Sequence, residues 1–180
     1  MQTPCSILLV GPMGAGKSSV GRALAQRLDW PFVDIDEAVE RQEGRTIASI
    51  FERDGEAAFR ALERTVLCEL LAGPPRVVAT GGGAVLDDGS RRLMRERAHV
   101  VYLQVPVDVQ LQRLEHDRAR PLLQRPDREA ALLALAAARN PLYEDVAHVQ
   151  VDATCGDADA IAAMLAARLV PLHPTQDIPA

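Results

Sequence analysis

The chain has 180 residues, 48% of them hydrophobic, and a net charge of −5 at pH 7, which predicts one soluble domain around a single core. No apolar run reaches the roughly 20 residues of a membrane helix, and the start MQTPCSILLV lacks the basic segment of a secretory signal, so we expect a cytoplasmic protein. The acidic balance argues against nucleic acid as a partner, and the three widely spaced cysteines argue against a disulfide framework or a zinc site.

Strand and helix patterns alternate along the chain. Short apolar runs bounded by turn residues predict strands, and longer segments with apolar residues at helical spacing predict helices. Strands separated by helices predict an α/β fold, with a parallel sheet covered on both faces. The predicted strands are Ile7–Val10, PFVDID, PPRVVAT, HVVYLQV and HVQVD, and the predicted helices are Lys17–Leu28, Thr46–Arg53, Glu56–Leu71 after a break at Gly55, Asp88–Arg97, Val107–Glu115, Arg128–Ala138 and Asp157–Leu169.

The glycine-rich stretch GPMGAGKS, from Gly11 to Ser18, lies between the first predicted strand and the first predicted helix. Its glycines let the backbone curl around an anion, and the helix start adds a positive dipole. Lys17, the only lysine of the chain, adds a full charge. The hydroxyl of Ser18 stands where Mg²⁺ bridging the outer phosphates would bind it. This pattern predicts an ATP site.

Polar residues follow the next strand and mark one helix. Because ligands of such sheets bind outside the carboxyl ends of the strands, Asp34 and Asp36 are candidates for a metal and for an acceptor hydroxyl, the alternative being a turn or a helix cap. Arg60 and Glu63 of FRALE are three residues apart on a helix, so the glutamate can orient the guanidinium toward a ligand carboxylate. An ordinary surface salt bridge is the alternative.

Three further segments are candidates for the site. Three consecutive glycines, Gly81 to Gly83, suggest a close approach of the backbone to a ligand. Arg139 of ARNPLY is predicted at a helix end, since Pro141 should stop the helix there, and it would bind a ligand or merely complement the helix dipole. The arginine-rich run HDRARPLLQRPD predicts either a lid over the phosphates or a solvated loop.

In this order, the motifs GPMGAGKSS, DID, FRALE, GGG, RPLL and ARNPLY resemble those of shikimate kinases, over about residues 7–169. These enzymes phosphorylate the 3-hydroxyl of shikimate with ATP. The resemblance implies a P-loop three-layer α/β/α sandwich with a central five-stranded parallel sheet and a mobile lid. It divides the chain into a single kinase domain over residues 1–170, with the lid at about 115–127, and a loosely ordered tail over residues 171–180. We expect a monomer, because no exposed apolar stripe is obvious.

The resemblance also implies roles at the phosphates. Arg120, the first residue of RPLL, matches a lid arginine that reaches the transferring phosphate, and it joins Lys17 as a catalytic cation. Mg²⁺ would be held by Ser18 and, through water, by Asp34. The residues that would wrap the phosphates of ATP are Gly14, Ala15, Gly16, Lys17, Ser18 and Ser19.

On the acceptor side, the resemblance assigns the shikimate carboxylate to Arg60 and Arg139 and a backbone contact to Gly82. Asp36 would hydrogen-bond the hydroxyls of shikimate and take the reacting proton. Some family members place an arginine near the end of the fifth strand to pack on adenine. The corresponding stretch here, DATCGDADA, has no basic residue, which leaves Arg113 as a candidate for stacking on the base, or for an exposed salt bridge.

Two other functions remain open at this point. Another small-molecule P-loop kinase, such as a gluconate kinase, would share the nucleotide site. Shikimate is favoured over gluconate as the acceptor by Arg60, the triple glycine and Arg139. A non-catalytic nucleotide-binding module would be expected to have lost part of the lysine, hydroxyl, acid and arginine set, which is complete in this sequence.

Overall fold

The structure, a computed structural model, describes residues 5–115 and 127–169. Within these residues strands and helices alternate as predicted, and a short 3-10 helix, Ala84–Leu86, follows the triple glycine. The strands are β1 (Ser6–Val10), β2 (Phe32–Asp34), β3 (Val77–Ala79), β4 (Ala98–Gln104) and β5 (Val149–Asp152). The helices are α1 (Lys17–Leu28), α2 (Ile35–Glu43), α3 (Ile47–Ala72), α4 (Asp88–Arg97), α5 (Val107–Arg113), α6 (Arg128–Val146) and α7 (Ala158–Leu169).

The five strands form one sheet in the order β2-β3-β1-β4-β5, and every neighbouring pair is parallel. The predicted five-stranded parallel sheet is therefore confirmed. Because all strands point the same way, their carboxyl ends share one edge, and β1 brings the loop after it to the middle of that edge.

Helices cover both faces of the sheet, which explains why β1 is apolar at four consecutive positions, Ile7 to Val10, rather than alternating. Ile7 and Leu9 face a core that also contains residues of α1 and α7. Leu8 and Val10 face a second core, formed with α2, α3, α4 and α6. All four side chains are fully buried, so the three-layer α/β/α prediction is confirmed.

The second predicted strand ends two residues early, and a helix that the sequence analysis missed begins there. The strand prediction over PFVDID is wrong at Ile35 and Asp36, which form the first turn of α2. The side chain of Asp34 accepts a hydrogen bond from the Asp36 N–H at 3.1 Å and so caps this helix. Ile35 and Val39, four residues apart, bury the same face of α2.

Helix α6 continues through Pro141 to Val146, so the prediction that it ends near Ala138 is wrong. Proline removes one backbone donor and crowds the preceding turn. Tyr143 and Val146, each only 1% exposed, bury the continued helix in the core, and this packing outweighs the local cost. The predicted break at Gly55 is confirmed, because this residue interrupts α3 with a left-handed φ of 82°.

Several predictions fall where the structure gives no description. Arg120, nearly all of the predicted lid over residues 115–127, and the tail over residues 171–180 lie outside the described residues. None of the helices in the described part of the chain is long and apolar enough to cross a membrane.

Candidate active site

A cleft of about 340 Å³ opens at the carboxyl edge of the sheet. The glycine-rich loop after β1 and the start of α1 form one wall, Asp34 and Asp36 form a second, and the turn after β3 and Arg139 of α6 complete it. Four segments that are far apart in sequence thus contribute to one site. The predicted residues that line it are Gly14, Gly16, Lys17, Ser18, Ser19, Asp34, Asp36, Gly82 and Arg139.

The glycine-rich loop has the backbone of a phosphate site. Gly14 and Gly16 have left-handed φ angles of 77° and 85°, which a side chain would resist, and Gly16 directly precedes α1. The Lys17 ammonium donates to the carbonyls of Gly11 and Pro12, both at 2.8 Å. These two hydrogen bonds hold the Lys17 ammonium beside the loop, where an entering phosphate would bind it.

Ala15 is the member of the predicted phosphate-binding set that does not line the cleft. It is 1% exposed and packs in the core beside α1. Its N–H donates to the Pro12 carbonyl at 3.3 Å, which helps to close the loop.

Ser18 and Asp34 are in contact in the wall of the cleft. The Ser18 hydroxyl donates to Asp34 Oδ2 at 2.7 Å, while Asp34 Oδ1 receives the N–H of Asp36. One carboxylate therefore caps α2 and faces the phosphate loop. Oxygen donors of this kind suit Mg²⁺, which usually takes one or two protein ligands together with phosphates and water. No group of three or more His, Cys, Asp or Glu in residues 5–115 and 127–169 is arranged to hold a metal ion.

The carboxylates of Asp36 and Glu63 pack against Gly81. A Cβ atom on this glycine would lie 2.8 Å from Asp36 Oδ1 and 3.0 Å from Glu63 Oε1, so only glycine lets both carboxylates approach the backbone. Glu63 is 1% exposed. Burial raises the pKa of Glu63 from its ordinary 4.5 to about 7; Arg60 opposes this shift, and Asp36 and Asp87 add to it.

Arg60 is held by Glu63 and lies directly on the triple glycine. Its Nη1 donates to Glu63 Oε2 at 2.7 Å and its Nη2 to Glu56 Oε1 at 3.2 Å. A Cβ atom on Gly83 would come within 2.1 Å of Nη2, so the guanidinium occupies the space that a side chain would need. The interpretation as an ordinary surface salt bridge is wrong for this pair, because Glu63 is buried.

Arg139 reaches the cleft from the interior of α6 rather than from its end. Its Nη1 donates to the Gly82 carbonyl at 3.2 Å. Tyr143, one turn further along α6, donates its hydroxyl to the same carbonyl oxygen. Tyr143 is not among the residues predicted from the sequence, although it lies four residues from Arg139, on the same helix face, and both belong to ARNPLY.

Thr80 is a second residue that the sequence analysis missed. It lines the cleft, is 4% exposed, and donates its hydroxyl to the Leu9 carbonyl at 3.1 Å. Its position immediately before the triple glycine, at the end of β3, is the signal that could have identified it.

Arg113 joins the phosphate loop to the loop after β5. Its guanidinium donates to the carbonyls of Gly14 at 3.0 Å and Ala153 at 2.6 Å. A second cavity of about 160 Å³ lies beside this link, and Gly16, Arg113 and Gly156 are among the residues that line it. Arg113 thus lines a cavity that is also lined by the phosphate loop.

Comparison with known proteins identifies the family that shares this arrangement. The family model described as shikimate kinase matches residues 13–170 of the chain. This chain belongs to the shikimate kinase family. The shikimate kinase of Stenotrophomonas maltophilia (strain K279a) is 51% identical over 158 residues, which cover 86% of this chain and 88% of the relative.

Solved structures agree with the family assignment. The structure of shikimate kinase from Acinetobacter baumannii in complex with shikimate matches with a TM-score of 0.89 and 43% identity, covering 96% of this chain and 97% of that one. A gluconokinase from Sinorhizobium meliloti 1021 matches with a TM-score of 0.54 and 24% identity, covering 96% of this chain and 99% of that one. At this identity, the gluconokinase shares the fold alone.

Proposed function

We propose that this protein transfers the terminal phosphoryl group of ATP to the 3-hydroxyl of shikimate, giving shikimate 3-phosphate and ADP on the route to chorismate and the aromatic amino acids. The observation that carries the proposal is the meeting of Lys17, Asp36 and Arg139 in one cleft. Lys17 can bind the phosphates of ATP. Asp36 can bind hydroxyls and Arg139 a carboxylate, which together match a hydroxylated carboxylic acid as the acceptor. The relatives are named as shikimate kinases, and one of them is described in complex with shikimate, which supports shikimate as the acceptor.

On the nucleotide side, the backbone from Gly14 to Ser19 would surround the phosphates, and Lys17 would exchange its two carbonyl partners for phosphate oxygens. Ser18 and Asp34 would hold Mg²⁺, Asp34 through water, and their 2.7 Å contact fits such a site. The ion would neutralise charge on the outer phosphates of ATP. Arg120 would add charge at the transferring group from the lid.

On the acceptor side, Arg60 and Arg139 would bind the shikimate carboxylate, and Gly82 would contact the ring through its backbone. Asp36 would orient the hydroxyls. In the transfer step, the 3-oxygen forms a bond to the terminal phosphorus, the bond from that phosphorus to the leaving oxygen of ADP breaks, and Asp36 accepts the hydroxyl proton. The rate would come mainly from alignment and from the cations around the phosphoryl group.

Arg113 would contact the adenine base. The cavity beside it adjoins the phosphate loop on the side of the loop after β5, and a guanidinium plane can stack on an aromatic ring. We further infer that the partners are small molecules only, since the chain is acidic, and that the protein acts as a monomer.

Release of ADP in the presence of different acceptors tests the proposed function. Purified protein with ATP and Mg²⁺ is expected to release ADP with shikimate, and not with gluconate or without an acceptor. Lys17→Ala is the blank and is expected to lose nearly all of this release. Equal release with all three mixtures, or none at all, would refute the assignment. Preference for gluconate would instead favour the other P-loop kinase, and ATP binding without transfer would favour the binding module.

A further inference from the structure

Tyr143 lies behind the cleft, not in it. Its side chain is 1% exposed, and its ring packs on Tyr102 with the ring centroids 5.1 Å apart. The hydroxyl points to the triple glycine and donates to the Gly82 carbonyl. Tyr143 therefore touches the wall of the candidate shikimate site from its protein side.

The Gly82 carbonyl accepts from two side chains of the same helix. Arg139 Nη1 donates to this oxygen at 3.2 Å, in addition to the Tyr143 hydroxyl. A carbonyl oxygen has two lone pairs, so these two donors fill its capacity. One nitrogen of the Arg139 guanidinium is thereby fixed, on a residue that also lines the cleft.

The other two carbonyls of the triple glycine are held locally. The Gly81 carbonyl accepts from Ala84 N–H at 3.1 Å and the Gly83 carbonyl from Leu86 N–H at 3.0 Å. The Gly82 carbonyl is the one that links this turn to α6. The two donors to this carbonyl, Arg139 Nη1 and the Tyr143 hydroxyl, therefore set the position of the turn relative to α6.

The hydroxyl of Tyr143 remains a hydrogen-bond donor at neutral and moderately alkaline pH. Burial raises the pKa of Tyr143 to about 12, and the nearby Arg139 opposes this shift. The hydroxyl stays neutral throughout the pH range of an ordinary assay and keeps its proton for the carbonyl. A phenyl ring would fill nearly the same space but would leave one lone pair of Gly82 without its partner.

We propose that Tyr143 is a positioning residue for shikimate, whose hydroxyl holds the Gly82 carbonyl and the Arg139 guanidinium in the arrangement that binds the substrate carboxylate. This inference rests on the proposed function. Loss of the Tyr143 hydroxyl should therefore weaken the binding of shikimate and not that of ATP, because the phosphate loop is held by its own contacts between Lys17 and the loop carbonyls.

Tyr143→Phe tests the proposal, with Tyr102→Phe as the matched control. Tyr102 is also buried and packs on the same ring, but its hydroxyl donates to Asn140 Oδ1 at 3.2 Å and not to Gly82. We expect Tyr143→Phe to raise both the KM and the calorimetric Kd for shikimate three- to tenfold, about the effect of one lost hydrogen bond. The KM for ATP should stay within about twofold, and Tyr102→Phe should change neither constant.

A double-variant cycle shows whether the effect passes through the arginine. In an Arg139→Lys background, Tyr143→Phe is expected to have less effect on shikimate binding, because the shared acceptor no longer orients a guanidinium. An equal loss of shikimate and ATP affinity in Tyr143→Phe, an equal effect of Tyr102→Phe, or full additivity with Arg139→Lys would each overturn the inference.

The proposed function can fail separately. If the wild-type protein binds shikimate in the calorimeter but does not phosphorylate it, the kinase assignment fails while the role of Tyr143 in binding is still measured. If the wild-type protein turns over shikimate and Tyr143→Phe matches it in every constant, only the inference fails.

Discussion

Glu63 is a buried acid, and its carboxylate is poorly solvated. Its Oε2 is bound by Arg60, whereas its Oε1 is buried and has no hydrogen-bond partner among the described residues. Arg60 belongs to the same helix, Asp36 faces the carboxyl from α2, and Asp87 faces it from the start of α4. Two negative neighbours and one positive neighbour leave desolvation as the dominant influence, which is why the pKa rises to about 7.

Stability should therefore depend on pH in a defined window. Because the folded pKa of about 7 exceeds the ordinary 4.5, the folded state holds this proton more tightly, and the stabilisation is complete below pH 4.5 and lost as pH rises through 7. At about 1.4 kcal/mol per pH unit, the change is on the order of 3 kcal/mol. Chemical denaturation of Glu63→Gln from pH 4.5 to 7.5 is expected to show a smaller fall in the free energy of unfolding than the wild type.

Glu69→Gln is the control for this measurement, since Glu69 lies on the same helix but is exposed. It should follow the wild-type curve. Parallel curves for wild type and Glu63→Gln across the whole window would contradict the assignment of this pH dependence to Glu63.

Helix α1 packs on β2 without room for a side chain at Gly21. A Cβ atom there would lie 2.5 Å from Phe32 Cε2 and 3.2 Å from Leu9 Cδ1. Helix propensity alone favours alanine over glycine by about 1 kcal/mol. Packing should reverse this preference, because overfilling a core costs about 1–3 kcal/mol.

We expect Gly21→Ala to lower the free energy of unfolding by about 1–2 kcal/mol, measured by denaturant titration. The pair Gln26→Ala and Gln26→Gly, at an exposed position of the same helix, provides the scale of propensity, with an expected difference of about 1 kcal/mol. A gain of stability in Gly21→Ala would mean that Phe32 moves aside and that the close approach of α1 and β2 is not required.

Local signals explain which elements the sequence could predict. The phosphate loop, the capped start of α2 at Asp34 and the break at Gly55 depend on backbone preferences of neighbouring residues, and two of these three were placed correctly. Helix α2 itself was missed because it buries only Ile35 and Val39. The passage of α6 through Pro141 could not be read locally, because it depends on distant core contacts.

At the scale of the molecule, the sheet order places the motifs of four chain segments on one edge. Most of the residues that the ordered motifs singled out line this one cleft, while the hydrogen-bond partners of individual groups were not predictable. The burial of Glu63, the sharing of Gly82 by Arg139 and Tyr143, and the cleft position of Thr80 all depend on how α3, α6 and β3 pack. The hydrophobic periodicity of a single segment does not show how that segment packs against the others.

If the proposed function holds, the stability of the folded state should depend on nucleotide and on Mg²⁺. ADP with Mg²⁺ at one hundred times its Kd is expected to raise the free energy of unfolding by about 2.7 kcal/mol. Removing the ion with a chelator should reduce this gain, because the outer phosphates would then face Asp34 without a cation between them. Denaturant titrations with ADP, with and without chelator, measure both effects. An identical gain in the two conditions would argue against an ion held at Ser18 and Asp34.

Lys17 is the single lysine of the chain, and in the structure its ammonium is bound by the carbonyls of Gly11 and Pro12. A reagent that targets amines therefore finds one lysine side chain in this molecule. Acylation, reductive methylation or immobilisation through lysine would modify the phosphate loop itself, so a dye or a solid support should be attached by other chemistry. The same property makes the extent of lysine labelling a direct report of how much of the nucleotide site is occupied.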